Sequence, residues 1–329
     1  VSGSAIRPTE RTAARIVPAN AAGIAEGARL LRAEKLVAFP TETVYGLGAD
    51  ASSNAAVARI YAAKGRPAFN PLIAHVATLA EASRHGVFSA AALRLAEKFW
   101  PGPLTLVLPV AATNLVCELA RAGRETVALR IPAHKNALAL IAAAGLPVAA
   151  PSANRSGRIS PVTARHVAED LGPDVDLILD GGACPVGVES TIIACLGETT
   201  QLLRPGGLCR ALIEEALGLA LPERVASHEI VAPGALASHY APSALVRLNA
   251  ERLEPGEAGL DFGGRFSQGP ATLDLSPAAD LDEAAANLFA FLRELDSRGP
   301  VSIAVAPIPR HGIGEAINDR LKRAAAPRS

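Results

Sequence analysis

Apolar residues recur along this chain in two alternating rhythms. Short continuous apolar runs give way to alanine-rich stretches whose apolar positions fall three and four residues apart. The first rhythm suits a buried strand, the second a helix with one face packed on a sheet. Asn20 to Lys35 predicts a helix, and Leu36 to Phe39 a buried strand ended by Pro40. Asn54 to Lys64 predicts a helix with Asn54 as its cap and Gly65 as its stop. Leu72 to Val76 predicts a strand, and Ser89 to Trp100 a serine-capped helix halted by Pro101 and Gly102. Further strands are predicted at Leu104 to Leu108, Thr126 to Ile131, Pro147 to Ala150, Leu177 to Asp180, Ser190 to Ala194 and Gln201 to Arg204. Behind a polar arm, 1–19, this mixture predicts an α/β domain over 20–217.

The rhythm breaks near Gly218. Residues 218–243 carry Pro222, Pro233, Pro242 and Gly234 without a sustained period, which predicts a linker. A smaller unit follows over 244–329. Leu245 to Leu248, Ala271 to Leu275 and Val301 to Pro307 predict strands, and Gly314 to Ala325 a final helix. Asp280 to Leu295 predicts an amphipathic helix, with Leu281, Leu288, Phe289, Leu292 and Leu295 near helical spacing. Strand and helix alternate, so this unit is expected to be a small open α/β sheet.

Composition narrows the class. The chain has 329 residues, 50% of them hydrophobic and 19% charged, enough for two cored domains. Formal net charge is zero. That argues against a sequence-wide basic field for nucleic acid while leaving room for a local basic cavity. Cys117, Cys184, Cys195 and Cys209 form no C-x-x-C pair, which argues against a zinc ribbon and fits a reducing cytoplasm. No apolar run approaches a membrane helix, and the first residues lack a signal-peptide core, so no membrane partner is expected.

Several polar clusters interrupt apolar runs. Pro40 to Gly48, PTETVYGLG, places hydroxyls and glycines in an expected turn after a strand. Lys64 to Val76, KGRPAFNPLIAHV, pairs Lys64 and Arg66 at a helix end, where they serve either the helix dipole or a phosphate clamp. His75 faces away from Leu72, Ala74 and Val76. Arg130 lies inside the apolar strand TVALRIP and needs either a buried acid or a ligand carboxylate. Ala150 to Pro161, APSANRSGRISP, offers hydroxyls and cations to phosphates or to solvent. GVESTII and LLRPGG add Ser190 and Arg204, and the linker segment APGALASHYAP adds His239 and Tyr240. Neither G-x-x-x-x-G-K-[ST] nor a helix-opening G-x-G-x-x-G is present.

PTETVYGLGAD, KGRPAFNPLIAHV, FWPGPLTLVLP, LRIP, PSANRSGRISP, DGG with GVESTII, and LLRPGG occur here in the order found in YrdC-like domains. This resemblance covers most of 20–212. The linker and small domain resemble the long form of the threonylcarbamoyl-AMP synthase family. The resemblance implies a twisted mixed sheet with a concave basic cavity, followed by a Rossmann-like domain. It implies that ATP, L-threonine and bicarbonate give threonylcarbamoyl-AMP and pyrophosphate, with Mg²⁺ accompanying ATP and no protein metal ligands assigned. A separate transferase would then modify tRNA. By position, Lys64, Arg66, Ser152 and Asn154 match the basic and polar tetrad. Thr43, His75, Arg130 and Ser190 match the threonine side. Arg66, Asn70, Thr126, Ala150 through its backbone, Ser152, Ser160, Arg204 and Tyr240 match the nucleotide side. The linker is expected to fold over the cavity. Two other readings use the same fold: a carbamoyl-adenylate-forming domain, against which the missing zinc-finger cysteines count, and a double-stranded RNA-binding module, which would not need the threonine set.

Overall fold

The structure, a computed structural model, describes residues 14–197, 199–222, 239–266 and 271–327. The first unit runs β1 (Ile16–Pro18), α1 (Ala21–Arg32), β2 (Val37–Phe39), β3 (Gly46–Asp50), α2 (Asn54–Lys64), β4 (Ile73–His75), α3 (Leu79–His85), α4 (Ala90–Phe99) and β5 (Leu104–Pro109). It continues with α5 (Glu118–Arg121), β6 (Thr126–Arg130), α6 (Lys135–Ala144), β7 (Val148–Ala149), α7 (Ala164–Leu171), β8 (Leu177–Asp180), β9 (Thr191–Leu196), β10 (Thr199–Arg204) and α8 (Arg210–Leu217). Its strands form one mixed sheet in the order β1-β8-β2-β3-β7-β4-β6-β5-β9-β10.

Three local expectations change. The arm is not wholly outside the domain, because Ile16–Pro18 pairs in parallel with β8 at the sheet edge. The expected turn at Pro40 to Gly48 is only half a turn. Its second part enters β3, where Gly46 and Gly48 lie opposite Phe39 and Val37 on β2. A Cβ on Gly48 would come 2.8 Å from the Phe39 ring, so these glycines admit a packed aromatic. The cap of α2 is Ser53, whose hydroxyl accepts from the Ala56 amide at 3.1 Å, and not Asn54. Gly65 ends that helix in the left-handed conformation, as expected.

The second unit holds β11 (Leu245–Arg247), β12 (Glu257–Asp261), β13 (Thr272–Asp274), α9 (Leu281–Ser297), β14 (Ser302–Val305) and α10 (Gly314–Ala324). Its four strands are all parallel, in the order β11-β14-β12-β13. Leu288, Phe289, Leu292 and Leu295 of α9 are buried, as the spacing predicts. Sheet and helices of both units share one continuous apolar core. Of the linker, 223–238 fall outside the described residues, and with them most of the segment expected to cover the cavity. Leu221 before the gap and Tyr240 after it are both buried.

Candidate active site

The site is built where several strands of the large sheet end. β4 and β6 run parallel, and their register sets His75 beside Arg130. Ser152 bridges back to Gly46 just beyond β7. Ser190 precedes β9, and Arg204 ends β10. These elements bring Thr41, Thr43, Arg66, His75, Arg130, Ser152, Glu189, Ser190, Arg204, His239 and Tyr240 around one cavity of about 50 Å³. That space holds a water or two. A nucleotide needs several hundred Å³, so the segment carrying His239 and Tyr240, which forms part of the lining, has to shift for one to enter.

Arg130 is buried, and its partners are inside the protein. It donates from Nη2 to Glu42 Oε1 at 2.6 Å, from Nη1 to Thr43 Oγ1 at 2.9 Å and from Nε to Gly102 O at 3.2 Å. The buried acid considered for it in sequence therefore exists. Three of the five guanidinium N–H groups are committed, and two remain for a ligand. Glu42 Oε2 has no protein partner. Thr43 is further tied to Thr41 by a hydroxyl contact of 2.8 Å. On the far wall, Ser190 and Thr105 share a hydroxyl contact of 2.8 Å. Arg204 Nη2 donates to Ser190 O at 2.8 Å. Gly206 is required behind this wall, since a Cβ there would lie 2.3 Å from Glu189 O.

Arg66 donates to the carbonyls of Asn70 and Pro71 at 3.1 and 2.9 Å. Burial pushes its pKa down to about 10, still well above neutrality. Arg66, Arg130 and Arg204 thus give the cavity three guanidinium groups. Burial, and then Arg130, push His75 down to about 3, and burial does the same to His239. Both imidazoles are neutral at pH 7, and both leave Nδ1 without a protein partner. Burial opposes the charge of Glu189, but Arg320, Arg204 and the Ser160 hydroxyl outweigh it and hold the carboxyl down at about 2.

Not every expected residue reaches the cavity wall. Lys64 lies beneath the loop after β7 and donates to the carbonyls of Ser152 and Asn154. Its helix end is covered by that loop, so the ammonium fastens the loop instead of facing the cavity. Burial lowers its pKa strongly. Asn154 donates to the carbonyls of Arg155 and Arg158, both at 2.8 Å, and braces the same loop. Ser160 donates to Glu189 Oε1 at 2.5 Å and lies behind that carboxylate. Asn70 is buried beside Arg66 with both amide atoms unpaired. Thr126 begins β6 and Arg130 ends it, which separates them by roughly 13 Å at the usual strand rise; only Arg130 is on the wall. Ala150 is on the wall, and its N–H donates to Ile73 O at 3.0 Å, which leaves its carbonyl as the backbone group available there.

The residue list from sequence omitted Glu42, Glu189 and Arg320. Glu42 and Glu189 each carried a signal, an acid beside Thr43 or Ser190 within an otherwise apolar segment. Arg320 carried none, because NDRLKR has the composition of a solvated helix face.

A two-unit α/β protein whose first unit closes a guanidinium-lined cavity is the class that fold and site define. Residues 29–206 match the family of Sua5, YciO and YrdC, described as telomere recombination, and 209–326 match the family described as threonylcarbamoyl-AMP synthase, C-terminal domain. The chain belongs to this two-domain family. It is 41% identical over 324 residues to the threonylcarbamoyl-AMP synthase of Bacillus subtilis, covering 93% of each chain. The threonylcarbamoyl-AMP synthase of Schizosaccharomyces pombe is 37% identical over 99% of this chain and 94% of its own. The crystal structure of Pyrococcus abyssi Sua5 complexed with L-threonine superposes with a TM-score of 0.85 at 40% identity, covering 92% of this chain and 94% of that one. Among the described residues no helix is long and apolar enough to cross a membrane.

Proposed function

We propose that this chain is a nucleotidyltransferase that makes threonylcarbamoyl-AMP from ATP, L-threonine and bicarbonate. The observation that carries the reading is the convergence of Arg66, Arg130 and Arg204 on one enclosed cavity with paired hydroxyls beside them. Likeness over nearly the full length to synthases of that name supports it.

Arg130, steered by Glu42 and Thr43, is suited to a threonine carboxylate, because one N–H on each of Nη1 and Nη2 remains for a ligand. The threonine amine adds to bicarbonate with loss of water and becomes a carbamate. A carbamate oxygen then bonds to the α-phosphorus of ATP, the bond to the β-phosphate oxygen breaks, and pyrophosphate leaves. Arg66 and Arg204 neutralise the charge on the phosphates, which is most of what phosphoryl-type transfer asks of a protein. Asn70, unpaired and buried beside Arg66, supplies a further polar contact once nucleotide enters. Mg²⁺ arrives as part of the substrate MgATP, held by the phosphates. Glu189 on the cavity wall and Glu42 behind Arg130 are already paired with arginines, and the described residues contain no group of three or more His, Cys, Asp or Glu suited to a metal. His239 and Tyr240 close the site and keep water from the adenylate. The product would pass to a transferase that modifies tRNA in the cytoplasm.

The test is incubation with ATP, L-threonine and bicarbonate, followed by detection of pyrophosphate and an AMP-linked product. Release of inorganic phosphate as the primary product, or turnover independent of threonine, would sink this reading.

A further inference from the structure

Two arginines of the second unit brace the cavity, one against a wall residue and one against the loop behind it. Arg320, on α10, has no exposed surface. It donates from Nε to Glu189 Oε2 at 2.7 Å, from Nη1 to Asp319 Oδ2 at 2.6 Å and from Nη2 to Pro205 O at 3.0 Å. The other oxygen of Glu189 accepts the Ser160 hydroxyl at 2.5 Å. Arg293, on α9, approaches the same loop from its other side. It pairs with Asp170 Oδ2 at 2.8 Å and donates to the carbonyls of Ile159 and Ser160. Between these two contacts, Gly187 is pressed against α9. A Cβ on Gly187 would lie 2.2 Å from Ala285 O.

We propose that Arg320 and Arg293 are positioning residues through which the second unit sets the pose of Glu189 on the cavity wall and of Ser160 behind it, so that nucleotide binding depends on how the two units dock. This rests on the adenylate-forming reading above. The argument is one of hydrogen-bond direction. Ser160 has a single hydroxyl proton, and that proton is given to Glu189. Toward a ligand, Glu189, the member of this pair on the cavity wall, then presents oxygen acceptors only. Acceptors match a ribose hydroxyl or an adenine amino group and repel phosphate oxygens, so this wall belongs to the nucleoside end of ATP. The phosphates are left to Arg66 and Arg204. Removing Arg320 would leave only the Ser160 hydroxyl and the charge of Arg204 to oppose burial at Glu189, so its pKa would rise and it would take up a proton more readily. A protonated Glu189 becomes a donor, the Ser160 hydroxyl can reverse, and the pattern offered to the nucleoside is lost. Arg293 fixes the backbone from which the hydroxyl projects, so its loss loosens the hydrogen bond that orients Glu189 without removing the Glu189 charge.

The experiment measures pyrophosphate release by the full chain while ATP and threonine are titrated separately. Arg320→Ala and Arg293→Ala should each raise KM for ATP at least tenfold and leave KM for threonine within twofold. Arg320→Lys should recover part of the loss. Ser160→Ala added to Arg320→Ala should change KM for ATP by less than threefold more, because both act through one hydrogen bond. In Arg320→Ala an acid limb in kcat/KM for ATP should appear at higher pH than in the parent. Should Arg320→Ala not fold, Arg293→Ala and the charge-neutral double variant Arg320→Met with Glu189→Gln carry the test through the same KM split. Variants with a lower Tm but both KM values unchanged, or with ATP and threonine KM rising together, overturn the proposal. A parent chain that makes no adenylate overturns the underlying reading instead.

Discussion

The ring of Tyr240 lies 5.3 Å from the guanidinium of Arg320 and stacks on Phe289 with 5.5 Å between centroids. Tyr240 holds a left-handed backbone, φ +62°, which costs a non-glycine residue roughly 1–2 kcal/mol. The contacts that offset this cost come from the second unit, since α9 supplies Phe289 and α10 supplies Arg320. A cation–π contact away from water contributes about 2 kcal/mol, comparable to the strain. Tyr240 therefore keeps this backbone conformation through contacts that the second unit supplies, and loses them when the units separate.

Tyr240→Ala should leave the fold intact, weaken nucleotide binding and shorten the lifetime of the adenylate on the protein. Equilibrium binding of ATP and a chase of the labelled adenylate measure both. Affinity and product lifetime equal to those of the parent chain would reduce the segment to a tether.

Arg130→Lys keeps the charge beside Glu42 but loses the fork that spans Glu42, Thr43 and a ligand. Threonine affinity should fall at least tenfold, about 1.4 kcal/mol, with ATP affinity nearly unchanged. Calorimetric titration of each substrate distinguishes this from a purely structural ion pair, for which both affinities would drop together with Tm.

Asn70 offers a cleaner separation of binding from stability. Its side-chain amide makes no hydrogen bond within the protein. Burying such a group unpaired costs about 1–3 kcal/mol. Asn70→Ala should therefore leave Tm unchanged or raise it while ATP affinity falls. A lower Tm with unaltered ATP affinity would assign Asn70 to the fold alone.

How much of this was legible in the sequence depends on the kind of order involved. Elements whose apolar pattern is strong, such as the helix carrying Leu288, Phe289 and Leu292, were legible because burial of one face dictates the pattern. Arg66, Arg130, Ser190 and Arg204 were visible as polar groups beside or within apolar runs, and the structure gathers all four. Ile16–Pro18 was hidden because an edge strand of three residues has no period to detect. β3 was hidden because its glycines, which look like a turn, make room for Phe39. Lys64 was visible as a cation at a helix end, but sequence does not say whether such a lysine faces a ligand or a loop carbonyl. Arg320 was invisible for a different reason. Its role exists only when the two units meet, and no local pattern encodes a contact with Glu189, more than a hundred residues away along the chain.

The last prediction concerns acid. Burial first of all, and then Arg130, hold His75 at about 3. His239 is held at about 3 chiefly by burial. Around it Glu189 acts to raise the value, and Arg66, Lys64 and Arg204 act to lower it. An unfolded histidine titrates near 6.5. Between those values the unfolded or opened chain binds more protons than the closed one, so stability rises with pH across that window and is lost as pH falls through it. The slope per histidine is at most about 1.4 kcal/mol per pH unit. The carboxylates do not blur this between pH 6.5 and 5, because Glu189 is held low in the fold and titrates only below that range when exposed. Tm should therefore fall steadily from pH 6.5 to 5, and His239→Asn should make that fall shallower. Hydrogen exchange at 239–242 should quicken over the same interval, since opening this segment exposes His239 to protons without unfolding the sheet. A slope untouched by His239→Asn would mean that His239 already meets solvent and that the closed form is not the resting state of the chain.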